Sequence, residues 1–299
     1  MPVPIPEALA ANYTAASTKA DEVRSNLPRF MASAGAAGAF VGLAIVLLIA
    51  VGSAFVAAQS PAVKLVQGSV FGLALVLVVF AGAELFTGNV MVMIQGLMAR
   101  KVRTLDLALV WIASLVGNLL GSIGLAALVN ASGIFSTGAT PGQPTIFFTA
   151  LSNTIKAKVA LSGGQLFFRS ILCNALVCLA LWMATRTKSD ATKIIVMWFA
   201  LLAFIASGFE HSIANMTVFS LGIFGHAPLA TWGEMLRNLA YTVPGNVVGG
   251  GLLIGAFYGS YGSRATTPET ADAPIDELTL DVRKLSETPE LVHASAARA

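Results

Sequence analysis

Charge is what this sequence has least of. Of its 299 residues only 11% are Asp, Glu, Lys or Arg, less than half of the roughly 25% usual in soluble domains. Hydrophobic residues make up 56%. A soluble fold has too little interior to hide that much apolar surface, so that class is excluded. The basic residues behind the net charge of +3 sit at the ends of apolar runs rather than in a cluster, which excludes a nucleic-acid surface and suits a membrane protein. Cysteine is nearly absent: Cys173 and Cys178 lie five apart in one apolar run, cannot face each other on a helix, and read as packing thiols. No activated serine–histidine set or H-E-x-x-H arrangement occurs. Glu210 and His211, adjacent on a helix, would face about 100° apart and make a poor acid–base pair. An intramembrane enzyme is therefore disfavoured, and no cofactor or metal is expected.

Long apolar runs are what is present. Six stretches, at residues 30–58, 65–98, 105–130, 159–185, 192–223 and 232–260, each reach the ~20 apolar residues that cross a bilayer. Ahead of them, residues 1–27 form an amphipathic cytoplasmic segment. Its residues 5–26 place Ile5, Leu9 and Tyr13 at helical spacing, as a helix lying at the membrane surface and ended by Asn26 and Pro28. With Pro2, Pro4, Pro6, Lys19, Asp21, Glu22 and Arg24 and no early apolar region, this segment does not read as a secretory signal. Residues 28–262 are the membrane domain. Residues 263–299 turn polar, with seven acidic against four basic side chains, and read as a largely disordered cytoplasmic tail with one short helix around 276–286. Arg100, Lys101 and Arg103 follow the second segment, Arg186, Lys188 and Lys193 the fourth, and Arg264 the sixth; the other connections hold only Lys64, Lys156 and Lys158. The positive-inside rule then puts both termini in the cytoplasm of a bacterial-type inner membrane.

Two segments are too long for one plain crossing. Residues 65–98 would span about 50 Å as an unbroken helix, against a hydrocarbon core of ~30 Å, and 192–223 is also long. Each carries a glutamate near its middle, with Gly82 before Glu84 and Gly208 before Glu210. A glycine ahead of a buried carboxylate is how an interrupted helix reads in sequence; a tilted helix with a chance polar residue is the plain alternative. The two neighbourhoods match. Gly82-Ala-Glu84-Leu-Phe-Thr87-Gly-Asn89 and Gly208-Phe-Glu210-His211-Ser-Ile-Ala-Asn215 both fit G-x-E-x4-N, 126 residues apart. Gly117-Asn118-Leu-Leu-Gly121 matches Gly245-Asn246-Val-Val-Gly249, 128 apart. Two halves of three segments follow, and an odd number of crossings per half makes them inverted. The expected fold is an all-α membrane protein: six transmembrane helices in two inverted three-helix repeats, with broken second and fifth helices and a binding site near the midplane.

A helix that restarts inside the membrane presents unpaired N–H groups and the positive end of its dipole. Two such ends converging suit a small anion. Glu84 and Glu210 fall where they would cap those ends, with proton relay as the second reading. His211 is the one histidine inside a span; it is placed to line the pore and donate a hydrogen bond or a proton, although a bridge between helices would also account for it. Lys156 and Lys158 stand at the outer entrance of the fourth segment, where snorkelling explains Lys156. Asn118, Asn174 and Asn246 are amides within spans that either bridge helices or line the path. Phe71, Leu75, Phe86 and Phe204 lie near the breaks, as core packing or as apolar constrictions. The runs Gly117/Gly121/Gly124 and Gly245/Gly249/Gly250/Gly251 permit close approach of helices or subunits. A neutral-solute facilitator of the aquaporin type is the competing function; a cation at the entrance favours an anion.

The stretches AGAELFTGN (81–89), ASGFEHSIANM (206–216) and NLAYTVPGNVVGGG (238–251) resemble signatures of the formate/nitrite transporter family, and the likeness runs over roughly residues 5–262. The resemblance implies a homopentamer of aquaporin-like protomers, each with its own pore, conducting nitrite, formate or hydrosulfide. Carried over position by position, it implies a central pore histidine at His211, its polar partner at Thr87, and constrictions at Phe71, Leu75, Leu85 and Phe204. It also implies a vestibule lysine at Lys158, held by Glu210 and Asn174. The run FFRSILCNALVCLALWM (167–183) is similar to the nitrite branch, so nitrite is the favoured substrate and formate the next. Ala240-Tyr241 with Pro244 depart from the commoner NLIPVTLGN ending, and the charged tail is an addition.

Overall fold

Several helices in this chain start where a side chain can satisfy a first-turn N–H. A computed structural model describes residues 1–137 and 143–264, and every element among them is helical. In chain order these are α1 (Ile5–Ser25), α2 (Leu27–Ala57), α3 (Val63–Phe71), α4 (Leu73–Phe80), α5 (Phe86–Met98), α6 (Thr104–Ala131), α7 (Ile146–Val159), α8 (Gly163–Thr185), α9 (Asp190–Ala206), α10 (Ser212–Phe224), α11 (Trp232–Val247) and α12 (Phe257–Arg264), with a π-helical stretch, Val248–Ala256, between the last two. Asn26, Thr145, Ser162, Ser189 and Thr231 each accept a hydrogen bond from a first-turn N–H of α2, α7, α8, α9 and α11. The expected tail, residues 263–299 with its helix at 276–286, falls almost wholly outside the described residues.

Five helical stretches among the described residues are long and apolar enough to cross a membrane: Leu27–Ala57, Val63–Phe80, Thr104–Ala131, Gly163–Thr185 and Trp232–Gly262. The remaining apolar run, 192–223, holds α9 and α10, of 17 and 13 residues. Neither alone spans a core of ~30 Å at 1.5 Å per residue.

Two features go beyond the expectations. The connection 131–158 contains a helix, α7, which buries Phe147, Ala150, Leu151 and Ile155 and packs on α2 and α10. Its apolar stripe covers only one face of 14 residues, so no membrane-length run marks it. The amphipathic helix α1 turns its stripe toward protein. Ala8, Leu9, Asn12, Ala16, Ala20 and Val23 are buried, and α1 packs chiefly on α5 and α6. Asn12 donates to Gln95 Oε1 at 2.8 Å, and Arg24 pairs with Asp106. Small residues at every third or fourth position let the two helices lie close; a Cβ on Gly96 would collide with Ala16.

Glycines also join the longest helices. A Cβ on Gly38 or Gly121 would run into the backbone of α6 or α2, and one on Gly245 or Gly249 into that of α8. Such backbone contact is what binds helices where lipid removes the hydrophobic drive. Pro244, where the sequence departs from the commoner NLIPVTLGN ending, lies inside α11 one turn ahead of the π-helical stretch. Proline withholds a backbone N–H and disturbs the ladder. The widened turns that follow set Gly250 directly on Asn174 and Cys178.

Candidate functional site

The chain leaves the helix twice at corresponding places. Between α4 and α5, residues 81–85 turn through Gly82 at φ +72°; between α9 and α10, residues 207–211 turn through Gly208 at φ +71°. A left-handed φ costs other residues about 1–2 kcal/mol, so both turns call for glycine. Each is held by one buried amide. Asn118 on α6 accepts from Phe86 N at 2.9 Å and donates to Ala34 O at 2.7 Å and Glu84 O at 2.9 Å. Asn246 on α11 accepts from Ser212 N at 2.9 Å and donates to Ser170 O at 2.8 Å and Glu210 O at 3.2 Å. The neighbouring helix completes the join, Glu84 N donating to Ser33 O and Glu210 N to Arg169 O, both at 3.4 Å. Backbone groups released by the interruption thus find partners without water.

The glutamates do not cap. The N-cap positions belong to Leu85 and His211, one residue further on. Each carboxylate instead holds a lysine and the asparagine five residues along. Glu84 accepts from Lys19 Nζ at 2.6 Å and Asn89 Nδ2 at 3.0 Å. Glu210 accepts from Lys158 Nζ and Asn215 Nδ2, both at 2.8 Å. This explains the G-x-E-x4-N spacing: the asparagine lies one turn inside the restarted helix, facing back across the cap. Lys158 projects from the last turn of α7 rather than from the start of α8.

Three volumes lie in series between these groups. A vestibule of about 320 Å³ is lined by Lys64, Lys158, Arg169, Phe204, Glu210 and His211, among others. A second, of about 540 Å³, is lined by Lys19, Leu75, Glu84, Leu85 and Asn89. Between them lies a cavity of about 10 Å³, room for no more than a single water. Phe204 and His211 wall both the first vestibule and this cavity; Leu75 and Leu85 wall both the cavity and the second vestibule. Phe71 meets Phe204 edge-on at 5.5 Å between ring centroids, so the layer separating the vestibules is apolar save for one imidazole.

That imidazole is oriented from both nitrogens. Nδ1 accepts from Ala214 N at 3.3 Å, capping α10, and Nε2 lies 3.2 Å from Thr87 Oγ1 in the first turn of α5. With Nδ1 occupied as an acceptor, a neutral ring carries its proton on Nε2 and donates it to Thr87. The ring stacks on Phe204 at 6.0 Å. Side chains from the first turns of two restarted helices therefore touch inside the closure.

Among the residues expected here, His211, Lys158, Glu210, Phe71, Leu75, Leu85 and Phe204 line these volumes, and Thr87, which lines none of them, joins the group through its contact with His211 Nε2. Phe86 does not: its ring packs edge-on against Trp111 at 6.4 Å and lines none of the three volumes. Asn174 and Asn246 also lie off the path. Asn174 Nδ2 donates to Thr87 O at 3.2 Å and Asn246 O at 2.7 Å, so it holds backbone rather than Lys158. Lys19, Lys64 and Arg169 line the vestibules without having been singled out from the sequence. The repeat itself carries the signal for Lys19: if Glu210 is matched by a lysine, Glu84 needs one. Among the described residues no three His, Cys, Asp or Glu side chains group as metal ligands.

An all-helical, multi-pass membrane protein with two cation-bearing vestibules meeting at an apolar layer belongs to the class of solute-conducting membrane proteins. Residues 7–260 match the model of the formate/nitrite transporter family, and the chain belongs to that family. It is 39% identical over 242 residues to the nitrite transporter NirC of Escherichia coli (strain K12), covering 80% of this chain and 85% of that protein. Among solved structures, an FNT family ion channel superposes with a TM-score of 0.78 at 36% identity, covering 85% of this chain and 98% of that one. A pentameric formate channel with formate bound gives a TM-score of 0.66 at 28% identity, covering 79% and 97%.

Proposed function

We propose that this protein is a channel for small monovalent anions, nitrite first and formate next, in a bacterial-type inner membrane. In this reading the chain crosses six times, α3–α5 and α9–α10 serving as the broken second and fifth crossings of two inverted three-helix repeats, with both termini in the cytoplasm. Five protomers assemble, as in the pentameric formate channel, and each carries its own pore. The observation that carries the proposal is the meeting of the α5 and α10 first turns, through Thr87 and His211, between two vestibules that each hold a lysine. Helix N-termini present partial positive charge, and fixed lysines raise the local anion concentration.

The path works in stages. An anion gathers in the Lys158 vestibule and must shed water to enter the layer of Phe71, Leu75, Leu85 and Phe204, since the cavity there holds about 10 Å³. Such apolar constrictions gate by dewetting. In transit the anion replaces Thr87 as the acceptor for His211 Nε2–H, or, once the ring has taken up a second proton from the vestibule, receives one proton from the imidazolium and crosses the layer as the neutral acid, leaving the ring neutral. Either way the ring gives transport a pH dependence. A second proton on the ring would have to displace Ala214 N from Nδ1, loosening the cap of α10. The charged residues that share the vestibule with the ring are Lys64, Lys158, Arg169 and Glu210.

The test is uptake of nitrite and of formate into proteoliposomes across pH 5–8. Wild type should exceed empty vesicles for both, nitrite more, with a pH profile that His211→Phe alters. Absence of flux from a correctly assembled preparation overturns the channel reading, and an unchanged profile in the variant overturns the role of the ring. Water and glycerol permeation without anion flux would instead favour the neutral-solute alternative.

A further inference from the structure

Besides the exchange of Leu85 for His211 at the cap, the two breaks differ at the residue of the neighbouring helix that holds the turn, and that difference marks a site. At the first break, Ser33 lends its carbonyl to Glu84 N and its hydroxyl donates to Gly82 O at 3.4 Å. At the second, Arg169 lends its carbonyl to Glu210 N and its Nη1 donates to Gly208 O at 3.3 Å. Serine and arginine thus make the same two connections to the turning backbone. A serine suffices for the fold at the sister position, so the guanidinium at 169 brings a charge and further donors that the turn does not require.

Those donors face an anion's route. Arg169 lines the Lys158 vestibule just ahead of Phe204 and His211. Lys64 Nζ and Arg169 Nη1 lie 3.8 and 3.9 Å from the point where a side chain on Gly208 would begin, so the two cations lie within about 8 Å of each other. Neither forms an ion pair among the described residues. The carboxylate lining this vestibule, Glu210, already accepts from Lys158 and Asn215 through one oxygen. The vestibule therefore holds three cations against one carboxylate, and two of those cations meet over the glycine that opens the way to the closure. A guanidinium offers five donors in a planar fork matched to two oxygens on one atom, whereas an ammonium is a point charge.

Resting on the channel reading above, we propose that Arg169, assisted by Lys64, forms an anion site at the threshold of the closure that prefers bent two-oxygen anions, nitrite and carboxylate, to single-atom anions. Lys158 collects anions of any shape; Arg169 sorts them by shape before dehydration. The glycine at 208 keeps the space between the two cations open.

The experiment is competition in proteoliposomes. It measures the nitrite concentration giving half-maximal uptake, and the formate and chloride concentrations that halve uptake, for wild type, R169S, R169K and K64Q. R169S installs the residue of the sister break and should assemble as wild type does. Its nitrite and formate values should rise about tenfold, as for one charge-assisted hydrogen bond in a part-solvated site, while chloride moves less than twofold. R169K should restore overall affinity without the preference for two-oxygen anions, and K64Q should weaken all three anions by a similar, smaller factor. Equal shifts for every anion in R169S reduce the site to general electrostatics and overturn the proposal, as does no shift. Failure of R169S to assemble shows the charge to be structural and also overturns it. Absence of anion uptake by wild type would strike the channel reading instead, so the two failures are distinguishable.

Discussion

The turn at residues 81–85 and the turn at residues 207–211 share a glycine at positive φ, a glutamate holding a lysine and an asparagine, and a clamping asparagine on another helix. They part at two places. Leu85 caps nothing where His211 caps α10 and reaches Thr87, and Ser33 stands where Arg169 does. The shared groups each answer a need of the backbone: a left-handed turn, an open N–H, a buried carboxylate. The differing groups bring more than the backbone needs: His211 caps α10 and Arg169 holds Gly208 O, but the sister turn folds with a leucine and a serine in their places. Likeness between the turns therefore marks scaffold, and unlikeness marks what the path does to a solute.

The comparison makes ordered forecasts. The largest effect belongs to the clamps. N118A and N246A each strip three hydrogen bonds from buried backbone groups, and at about 1–3 kcal/mol for each group left unsatisfied either should abolish recovery of assembled protein in detergent. Size-exclusion chromatography and thermal unfolding check this; a clamp variant that assembles and melts like wild type would show that its turn is held some other way. Next come the glycines. G82A and G208A should each cost about 1–2 kcal/mol through backbone strain, read as a lower melting temperature. G82A has open space at its Cβ, whereas G208A meets Lys64 and Arg169, so only G208A should also slow nitrite uptake. The smallest effects come from the carboxylates. E210Q leaves Lys158 without its counter-charge, and half-maximal nitrite uptake should shift to lower concentration by a few-fold, on the order of 1 kcal/mol. E84Q should do the same for flux entering from the Lys19 side. Identical behaviour of the two variants from a single side would erase the distinction between the vestibules.

Much of this was legible before any coordinates. The charge deficit declared a membrane protein, the 126-residue repeat located both turns, and Gly82 and Gly208 named the residues on which the backbone reverses its handedness. What the sequence left open or misplaced has a common cause. Phe86 follows the first break as closely as Leu85 does, and on a helix one residue's step is about 100°, enough to send its ring to Trp111 instead of the path. Asn246 reads as a polar group inside a span, whether pore or bracket; what decides is that its amide is surrounded by three open backbone groups of other helices. α7 carries a short one-sided stripe with no membrane-length signal, so only the structure shows that Lys158, at the entrance of the fourth segment, belongs to that helix's last turn.

Periodicity, hydropathy and the recurrence of a short motif are local properties, written along the chain, so they declare helices, interruptions and the residues at each interruption. Which cation reaches which carboxylate is a matter of segments far apart in the chain: Lys19 lies 65 residues from Glu84 and Lys158 lies 52 from Glu210. Those pairings, and the depth of the layer between the vestibules, were set only when close-packed glycine seams brought the helices to fixed separations.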